Sequence, residues 1–342
     1  MPGPGIGVRK MEESLTPVRW GVLSTARIGV EKVIPAMAGS ELSRAAAIAS
    51  RDPERAAAIA EALGIEKSYG SYAELLADPD VEAVYIPLPN HMHLEWTVAA
   101  AEAGKHVLCE KPLAMTSRDA RIMGEACDRE GVKLMEAFMY RLHPLWIEVK
   151  RMVDEGAIGE LRAVQTVFSY YNDDPKNIRN IPEVGGGALY DIGCYAINAA
   201  RFLVGTEPTT VKGTIHRDEA LGTDIVTAGL IDFDGRIATF LCSTQMEPDQ
   251  RVDVYGTEGR LTVEIPFNIP PDRATRILHF AGGNGPVDPH MVSHEIAAAD
   301  PYTVQVDAFS RSIRQDSAVP TPVVDAVANL EVIEAIFADA KS

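Results

Sequence analysis

The sequence has little cysteine and no long apolar stretch. Its four cysteines, Cys109, Cys127, Cys194 and Cys242, lie far apart among 342 residues and form no C-x-x-C pair. Neither a disulfide framework nor a zinc site is indicated, and a reducing cytoplasm is the expected compartment. No apolar run is long enough to cross a bilayer. A secreted disulfide scaffold and an integral membrane protein are therefore not expected.

Positive charge is also scarce. The sequence has 32 Lys and Arg against 49 Asp and Glu, a formal net charge of −17. An acidic surface repels phosphate backbones, and no basic patch stands out, so nucleic acid is not an expected partner. The composition, 46% hydrophobic and 24% charged, is typical of a globular protein.

The length predicts more than one domain, because single hydrophobic cores stop growing at about 250–300 residues. Residues 1–16 carry Pro and Gly and then charges, without the apolar core of a signal peptide, and are expected to form a flexible extension. We expect a first domain at residues 17–138 and a second at residues 139–342, whose C-terminal helix could dock back on the first.

The first domain begins with a pattern typical of dinucleotide binding. Residues 18–23 are strand-like, a turn of mostly small residues follows, and residues 30–38 are helical. Such a turn brings backbone N–H groups and a helix N-terminus to a pyrophosphate. The glycine fingerprint is incomplete, with only Gly29 left, so a plain tight turn is the alternative. The residues expected at the phosphates are Ser24, Thr25, Ala26, Arg27 and Ile28.

The end of the second predicted strand, residues 44–50, is where the adenosine ribose of a cofactor would be read. An acid there favours a free 2′-hydroxyl, and an arginine favours a 2′-phosphate. Ser50 and Arg51 occupy this position and Asp52 follows them. We therefore expect NADP in preference to NAD, with a solvent-facing Arg51 as the alternative.

Strands and helices continue to alternate up to residue 138. A strand at residues 81–86 is stopped by prolines, and Asn90 is predicted to cap a helix at residues 93–103. His91 and His93 have no Cys or carboxylate at ligand spacing, so no metal site is expected. The alternation predicts an α/β domain with a doubly wound parallel sheet.

An apolar strand ends at Glu110-Lys111-Pro112, which places these side chains at its carboxyl end, where open α/β sheets bind ligands. Lys111 is the first candidate for catalysis, and an ordinary surface lysine is the alternative. In the second half, three glycines at residues 185–187 precede Asp191 and Tyr195, which share one helix face. The alternative here is a capping Asp and a packed Tyr.

Short strand-sized segments dominate the rest of the second half, at residues 161–170, 211–216, 224–233, 236–243, 251–255 and 260–265. Asp234-Gly235 and Glu258-Gly259 are hairpin signals and predict an antiparallel sheet. Residues 246–251 fit a loop or an edge strand, and residues 270–301, rich in Pro and Gly, are predicted to be irregular. Residues 302–314 and 323–340 have helical apolar spacing.

These motifs together resemble the Gfo/Idh/MocA oxidoreductases. The resemblance is carried by the turn from Gly21 to Gly29, by Pro89-Asn90 with His93, by Glu110-Lys111-Pro112, and by the glycine run with Asp191 and Tyr195. It implies a Rossmann domain for NAD or NADP. It also implies an α+β C-terminal domain, whose open, mainly antiparallel sheet serves substrate binding and assembly into a homodimer or homotetramer.

The resemblance assigns roles to residues. Lys111, Tyr195 and Asp191 would be catalytic, and the same three with Arg179 would bind substrate. The cofactor would also contact Pro87, Leu88, Asn90, His93, Glu110 and Lys111. The Trp that usually neighbours the family's arginine is Ile178 here. The sequence has Tyr rather than His at position 195. In this it resembles members of the glucose-fructose oxidoreductase, dimeric dihydrodiol dehydrogenase and xylose dehydrogenase type.

The expected function is hydride transfer between NADP, or NAD, and a sugar or polyol, with oxidation of an aldose at C1 as the specific hypothesis. A phenol beside a lysine ammonium suits the accompanying proton transfer, because the positive charge favours phenolate. Reduction of a keto-sugar, or dihydrodiol chemistry, is the nearer alternative. A non-catalytic NAD(P)-binding regulator is the alternative from another class.

Overall fold

Two sheets contain the named strands of the computed structural model, which describes residues 15–283 and 289–340. The predicted extension at residues 1–16 lies almost entirely outside the described residues. Among them, no helix is long and apolar enough to span a membrane.

The first sheet is parallel, with strand order β3-β2-β1-β4-β5-β6. This order, in which the first strand lies at the centre, confirms the doubly wound prediction. The strands are β1 Val18–Leu23, β2 Ser43–Ala49, β3 Lys67–Tyr69, β4 Ala83–Ile86, β5 His106–Cys109 and β6 Leu134–Glu136. No sequence pattern predicts β3, because three residues are too few to show an alternation.

The helices predicted at residues 30–38, 93–103, 302–314 and 323–340 are all present. The α-helices of the described residues follow in chain order. They are α1 Ile34–Ala38, α2 Pro53–Leu63, α3 Tyr72–Leu76, α4 His93–Glu102, α5 Ser117–Glu130, α6 Pro144–Asp154, α7 Cys194–Val204, α8 Pro301–Arg314 and α9 Val323–Asp339. A π-helical turn precedes α1 at Gly29–Val33 and α7 at Leu189–Gly193. Helix α2 begins and ends as its sequence indicates, since Asp52 accepts a hydrogen bond from the Arg55 N–H and Gly64 takes a left-handed conformation.

The predicted capping role of Asn90 is wrong. A 3₁₀ turn at Asn90–Met92 precedes α4, and Met92 is the residue at its N-cap. The Asn90 side chain instead donates a hydrogen bond to the Gly185 carbonyl at 2.9 Å. The tight turn leaves the amide free to link the first domain to the second.

The second sheet is mainly antiparallel, as predicted, with strand order β14-β13-β12-β11-β7-β10-β9-β8. Only β7 and β10, among these neighbouring strands, run parallel to each other. The strands are β7 Leu161–Tyr171, β8 Thr210–Arg217, β9 Asp224–Asp232, β10 Ile237–Ser243, β11 Gln245–Gly256, β12 Gly259–Val263, β13 Thr275–Gly283 and β14 Pro289–Ile296. At the β9–β10 hairpin, Asp234 and Gly235 both have positive φ, as this turn requires.

The expectation of an irregular segment at residues 270–301 is wrong, because β13 and β14 lie within it and pair from Thr275↔Ile296 to Gly283↔Pro289. Prolines and glycines around the two strands obscured the alternation, and their connection at residues 284–288 lies outside the described residues. Residues 246–251, which fitted either a loop or an edge, belong to β11.

Helix α8 packs against the first sheet. The ring centroids of Phe309 and Trp20 are 5.6 Å apart, and the Trp20 indole N–H donates to the Ser310 hydroxyl at 3.2 Å. Helix α9 lies against α5, where Glu334 accepts hydrogen bonds from the N–H and hydroxyl of Ser117. Both C-terminal helices therefore contribute to the layers that cover the first sheet.

We predict that Phe309→Ala lowers the free energy of unfolding by about 3–5 kcal/mol, because it leaves a cavity against Trp20. Phe309 is 0% exposed. Ile147, on α6, is 57% exposed, so Ile147→Ala serves as the control and should change stability by about 0.5 kcal/mol or less. Denaturant unfolding measures both. Equal losses in the two variants would contradict the docking role of Phe309.

Candidate active site

A cleft of about 920 Å³ lies at the carboxyl edge of the first sheet, between that edge and the second domain. It brings together most of the residues singled out from the sequence. Those that line it are Ala26, Arg27, Ile28, Pro87, Leu88, Asn90, Glu110, Lys111, Arg179, Asp191 and Tyr195. A separate groove of about 630 Å³ beside α5 and α9 shares no lining residue with this cleft.

Lys111 reaches from the end of β5 across to the second domain. Its ammonium donates to the backbone carbonyl of Asp191 at 2.6 Å and lies 3.3 Å from the Asp191 Oδ1. Burial disfavours the charged ammonium, but Asp191, with smaller contributions from Cys194 and Glu110, more than offsets burial, and the pKa of Lys111 lies above its ordinary value. Lys111 is therefore a fixed positive charge and not a proton carrier at neutral pH.

The Asp191 carboxylate is held by donors from both domains. Its Oδ2 accepts hydrogen bonds from the Tyr170 hydroxyl at 2.5 Å and from the Arg179 Nε at 3.0 Å, while Lys111 approaches Oδ1. Burial works against the charged form, but Arg179 and Lys111 hold the pKa of Asp191 well below its usual range. The carboxylate remains ionised and orients the groups around it.

Tyr195 presents the face of its ring to Lys111, with the ammonium 4.8 Å from the ring centroid. Its hydroxyl contacts the Met139 sulfur at 3.6 Å. Burial raises the pKa of Tyr195 well above its ordinary value, and the nearby Glu110 adds to the effect. The expectation that Lys111 favours the phenolate is wrong for this arrangement, because the ammonium is bonded to Asp191 and faces the ring. Tyr195 keeps its proton and is suited to donate it.

Glu110 lies beneath the same wall of the cleft. It accepts a hydrogen bond from the Tyr85 hydroxyl at 2.6 Å and another from the Lys111 backbone N–H at 3.3 Å. Burial raises the pKa of Glu110, an effect that Lys111 partly opposes. These contacts let Glu110 fix the backbone next to Lys111.

The turn after β1 fits a pyrophosphate. Ser24 stands where glycine is usual, has φ 144°, and accepts the Ala26 N–H on its hydroxyl at 2.9 Å. Helical structure starts at Arg27, so the first free N–H groups of that helix lie beside Ala26 and Ile28 at the cleft wall. The serine hydroxyl stabilises a backbone shape that glycine would otherwise supply.

Ser50 and Arg51 follow β2, which is paired in parallel with β1, so they lie at the same sheet edge as Ser24. Ser50 accepts the Asp52 N–H at 3.1 Å, and the Arg51 side chain is exposed. Thr25 is buried, and its carbonyl accepts a hydrogen bond from Arg55 at 3.3 Å. A role for Arg51 at a cofactor phosphate stays a prediction.

The lining of the cleft does not include the predicted cofactor contacts Ser24, Thr25, Ser50 and Arg51, nor does it include His93. His93 is fully buried, and its two ring nitrogens lie 2.8 Å from the Leu88 carbonyl and 3.1 Å from the Pro112 carbonyl. The His93 side chain is therefore enclosed and does not reach the cleft in which a cofactor would lie. The imidazole braces two loops that themselves line the cleft.

The glycine run lets the domains approach closely. A Cβ at Gly185 would lie 2.8 Å from the Asn90 Cβ, and Gly187 has φ 120° with the Asp224 Oδ1 only 1.9 Å from where its Cβ would be. Asp224 in turn accepts the Leu189 N–H at 2.7 Å, at the start of the turn that carries Asp191. These contacts fix the backbone of the turn that carries Asp191, and the Asp191 side chain lines the cleft.

Sequence reasoning missed Tyr170, Phe168, Met139 and Tyr302, all of which line the cleft. Phe168 and Tyr170 could have been found, because residues two apart near the carboxyl end of a strand share a face and precede the polar loop. Tyr302 could not, since nothing local indicates that α8 returns to the first domain.

A parallel Rossmann sheet whose edge presents a lysine to a carboxylate and a phenol defines a nicotinamide-dependent oxidoreductase. Residues 18–138 match the oxidoreductase family model for an NAD-binding Rossmann fold, and residues 146–262 match the GFO/IDH/MocA C-terminal domain. The chain therefore belongs to the Gfo/Idh/MocA oxidoreductase family, as the resemblance implied.

Similar proteins agree with this assignment. An uncharacterized oxidoreductase from Rhizobium meliloti is 45% identical over 320 residues, covering 93% of this chain and 96% of the relative. The D-xylose 1-dehydrogenase (NADP(+)) 2 of Haloferax volcanii is 40% identical over 331 residues, covering 94% and 97%. A 3-ketoreductase from Actinomadura kijaniata, solved with NADP and TDP-benzene, superimposes with a TM-score of 0.88 at 30% identity, covering 94% and 98%.

We predict that Tyr170→Phe lowers kcat/KM about tenfold, because it removes a charge-assisted hydrogen bond to Asp191 while keeping the ring. Tyr171→Phe is the matched control. Tyr171 is the next residue, is 61% exposed, and donates only to Asp173 at 3.3 Å. Steady-state kinetics on the sugar with the fastest turnover measures both. A Tyr170→Phe enzyme as active as the control would show that Asp191 does not depend on this hydroxyl.

Proposed function

We propose that the chain is an NADP-dependent dehydrogenase that oxidises the C1 hydroxyl of an aldose such as D-xylose or D-glucose. The observation that carries the proposal is the meeting of Lys111, from the first domain, with Asp191 and Tyr195, from the second, at one wall of the cleft. The D-xylose 1-dehydrogenase relative supports the choice of substrate.

In this proposal a nicotinamide bound in the cleft would supply the acceptor for the hydride that leaves C1. The phenol of Tyr195 would first release its own proton to solvent and, as the phenolate, take the hydroxyl proton of the sugar, and a lactone is the product of a cyclic aldose. Lys111 stabilises negative charge on the reacting oxygen, and Asp191 holds Lys111 and Arg179 in place. Arg179 and Asp191 also face the substrate side of the cleft and can hydrogen-bond sugar hydroxyls. The turn at Ala26 and Ile28 receives the pyrophosphate.

Reduction of a keto-sugar is the second candidate, and the state of Tyr195 favours it. A buried phenol whose pKa is raised well above its ordinary value holds a proton that it can give to a carbonyl oxygen. Dihydrodiol chemistry would use the same residues. Oxidation requires the phenol to lose that proton first, so the direction of the reaction depends on the charge near Tyr195.

We also propose a homodimer or homotetramer assembled through the second sheet. Its outer face carries partly or fully exposed apolar side chains on neighbouring strands, among them Val167 on β7, Leu241 on β10 and Leu230 on β9, with Leu241 directly paired with Val167. Adjacent apolar side chains of this kind are typical of protein interfaces. A cytoplasmic location is supported by the four cysteines, all of them buried as free thiols.

A panel of aldoses, keto-sugars, inositols and diols, offered with NADP(H) and NAD(H) and followed by nicotinamide absorbance, tests the function. Lys111→Met and Tyr195→Phe should each lower turnover at least about a hundredfold, because charge stabilisation or proton transfer is lost. Lys32→Met, an exposed lysine at the same cleft, is the control and should keep its activity. Cofactor binding without turnover of any substrate would favour a regulatory protein instead.

Arg51→Ala should raise KM for NADP about tenfold or more and leave KM for NAD nearly unchanged, because only NADP carries a 2′-phosphate. Arg44→Ala is the matched control. Arg44 lies on β2, the strand that Arg51 follows, away from its carboxyl end, and pairs with Glu66. An equal change for both cofactors, or none, would show that Arg51 does not read the ribose.

A further inference from the structure

Glu136, the last residue of β6, is a buried carboxylic acid outside the cleft to which the proposed reaction gives no role. It is 1% exposed and pairs with Cys109, the residue before Glu110-Lys111. Its Oε1 accepts the Leu113 backbone N–H at 2.8 Å. Glu136 therefore fixes the far end of the turn that presents Lys111.

The second oxygen of Glu136 has no hydrogen-bond partner among the described residues. Arg141 and Arg201 are the two cations that favour a negative charge on Glu136. Both are already paired with Asp325, Arg141 at 2.8 Å and Arg201 at 3.1 Å. Asp325 repels a negative charge on Glu136, and the Cys194 thiol on α7 is a further neighbour. A charged Glu136 would thus be buried without a counterion of its own.

We propose that Glu136 is a positioning residue that holds the turn from Lys111 to Leu113 as an uncharged carboxylic acid, and that its ionisation loosens this turn and weakens cofactor binding. The inference rests on the proposed place of Lys111 beside the cofactor. A buried charge draws in water or moves toward it, and the hydrogen bond to Leu113 is the contact that must yield.

The direction of the pH effect follows from burial. Burial, with Asp325 adding to it, raises the pKa of Glu136 from 4.5 to about 8. Between these values the folded protein binds more protons than the unfolded chain, so this group makes stability fall as pH rises from 4.5 to about 8, with no further loss above. A glutamine at this position cannot ionise and removes that dependence.

The experiment compares the wild type with Glu136→Gln, Glu136→Leu and Thr321→Val. NADPH affinity is measured by fluorescence between pH 7 and 9, and the thermal midpoint without cofactor between pH 5.5 and 8.5. Thr321→Val is the matched control, because Thr321 donates only to the Glu136 backbone carbonyl, at 2.7 Å. Neither readout needs a substrate, so an error in the proposed reaction does not affect the result.

Wild type and Thr321→Val should lose NADPH affinity about tenfold between pH 7 and 9, as one proton with a pKa near 8 is released. Glu136→Gln should stay within about twofold across this range and show a flatter thermal midpoint against pH. Glu136→Leu should bind about tenfold more weakly at pH 7, because the Leu113 N–H loses its partner.

The proposal is overturned if Glu136→Gln keeps the wild-type pH dependence or binds as weakly as Glu136→Leu at pH 7. The glutamine variant decides the question even if the leucine variant fails to fold.

Discussion

The site depends on the ion pairs and hydrogen bonds that hold the carboxylate of Asp191. A buried anion is stable only when it is paired and hydrogen-bonded. Here the partners come from three places in the chain: Lys111 after β5, Tyr170 on β7 and Arg179 in the loop that follows. Because Lys111 belongs to the first domain and the others to the second, satisfying this one group requires the two domains to meet at a fixed distance.

Environment separates the ionisable groups of the cleft into opposite states. Asp191 is kept charged by its cationic neighbours, whereas the pKa values of Glu110 and Tyr195 are raised by burial. Acidic groups whose pKa values are shifted in opposite directions can take different roles in one site. In the proposed reaction, Asp191 and Lys111 supply a constant field, and Tyr195 carries the proton that moves.

Much of the fold could be predicted from the sequence, because local residue patterns determine many of its elements. Examples are the alternating strands and helices up to residue 138, and hairpin signals such as Asp234-Gly235. The shared cleft of Lys111, Asp191 and Tyr195 followed from motif resemblance. The partners of those residues did not, since the Tyr170 contact depends on how β7 approaches a distant turn. Likewise, His93 fits its motif, but only the packed loops reveal that its ring is enclosed. The β13–β14 pair was missed because prolines and glycines mask its alternation.

Helix α8 has a consequence for how the protein is made. Trp20 and Ser310, which form a hydrogen bond across the α8 contact, are 290 positions apart in the chain. A ribosome must therefore synthesise nearly the whole polypeptide before α8 can complete the cover of this face of the first sheet, which α1 and α2 cover in part. Until α8 emerges, the apolar side chains that it covers, such as Trp20, lie without that part of their packing, and a nascent first domain of this kind is a typical target for chaperones.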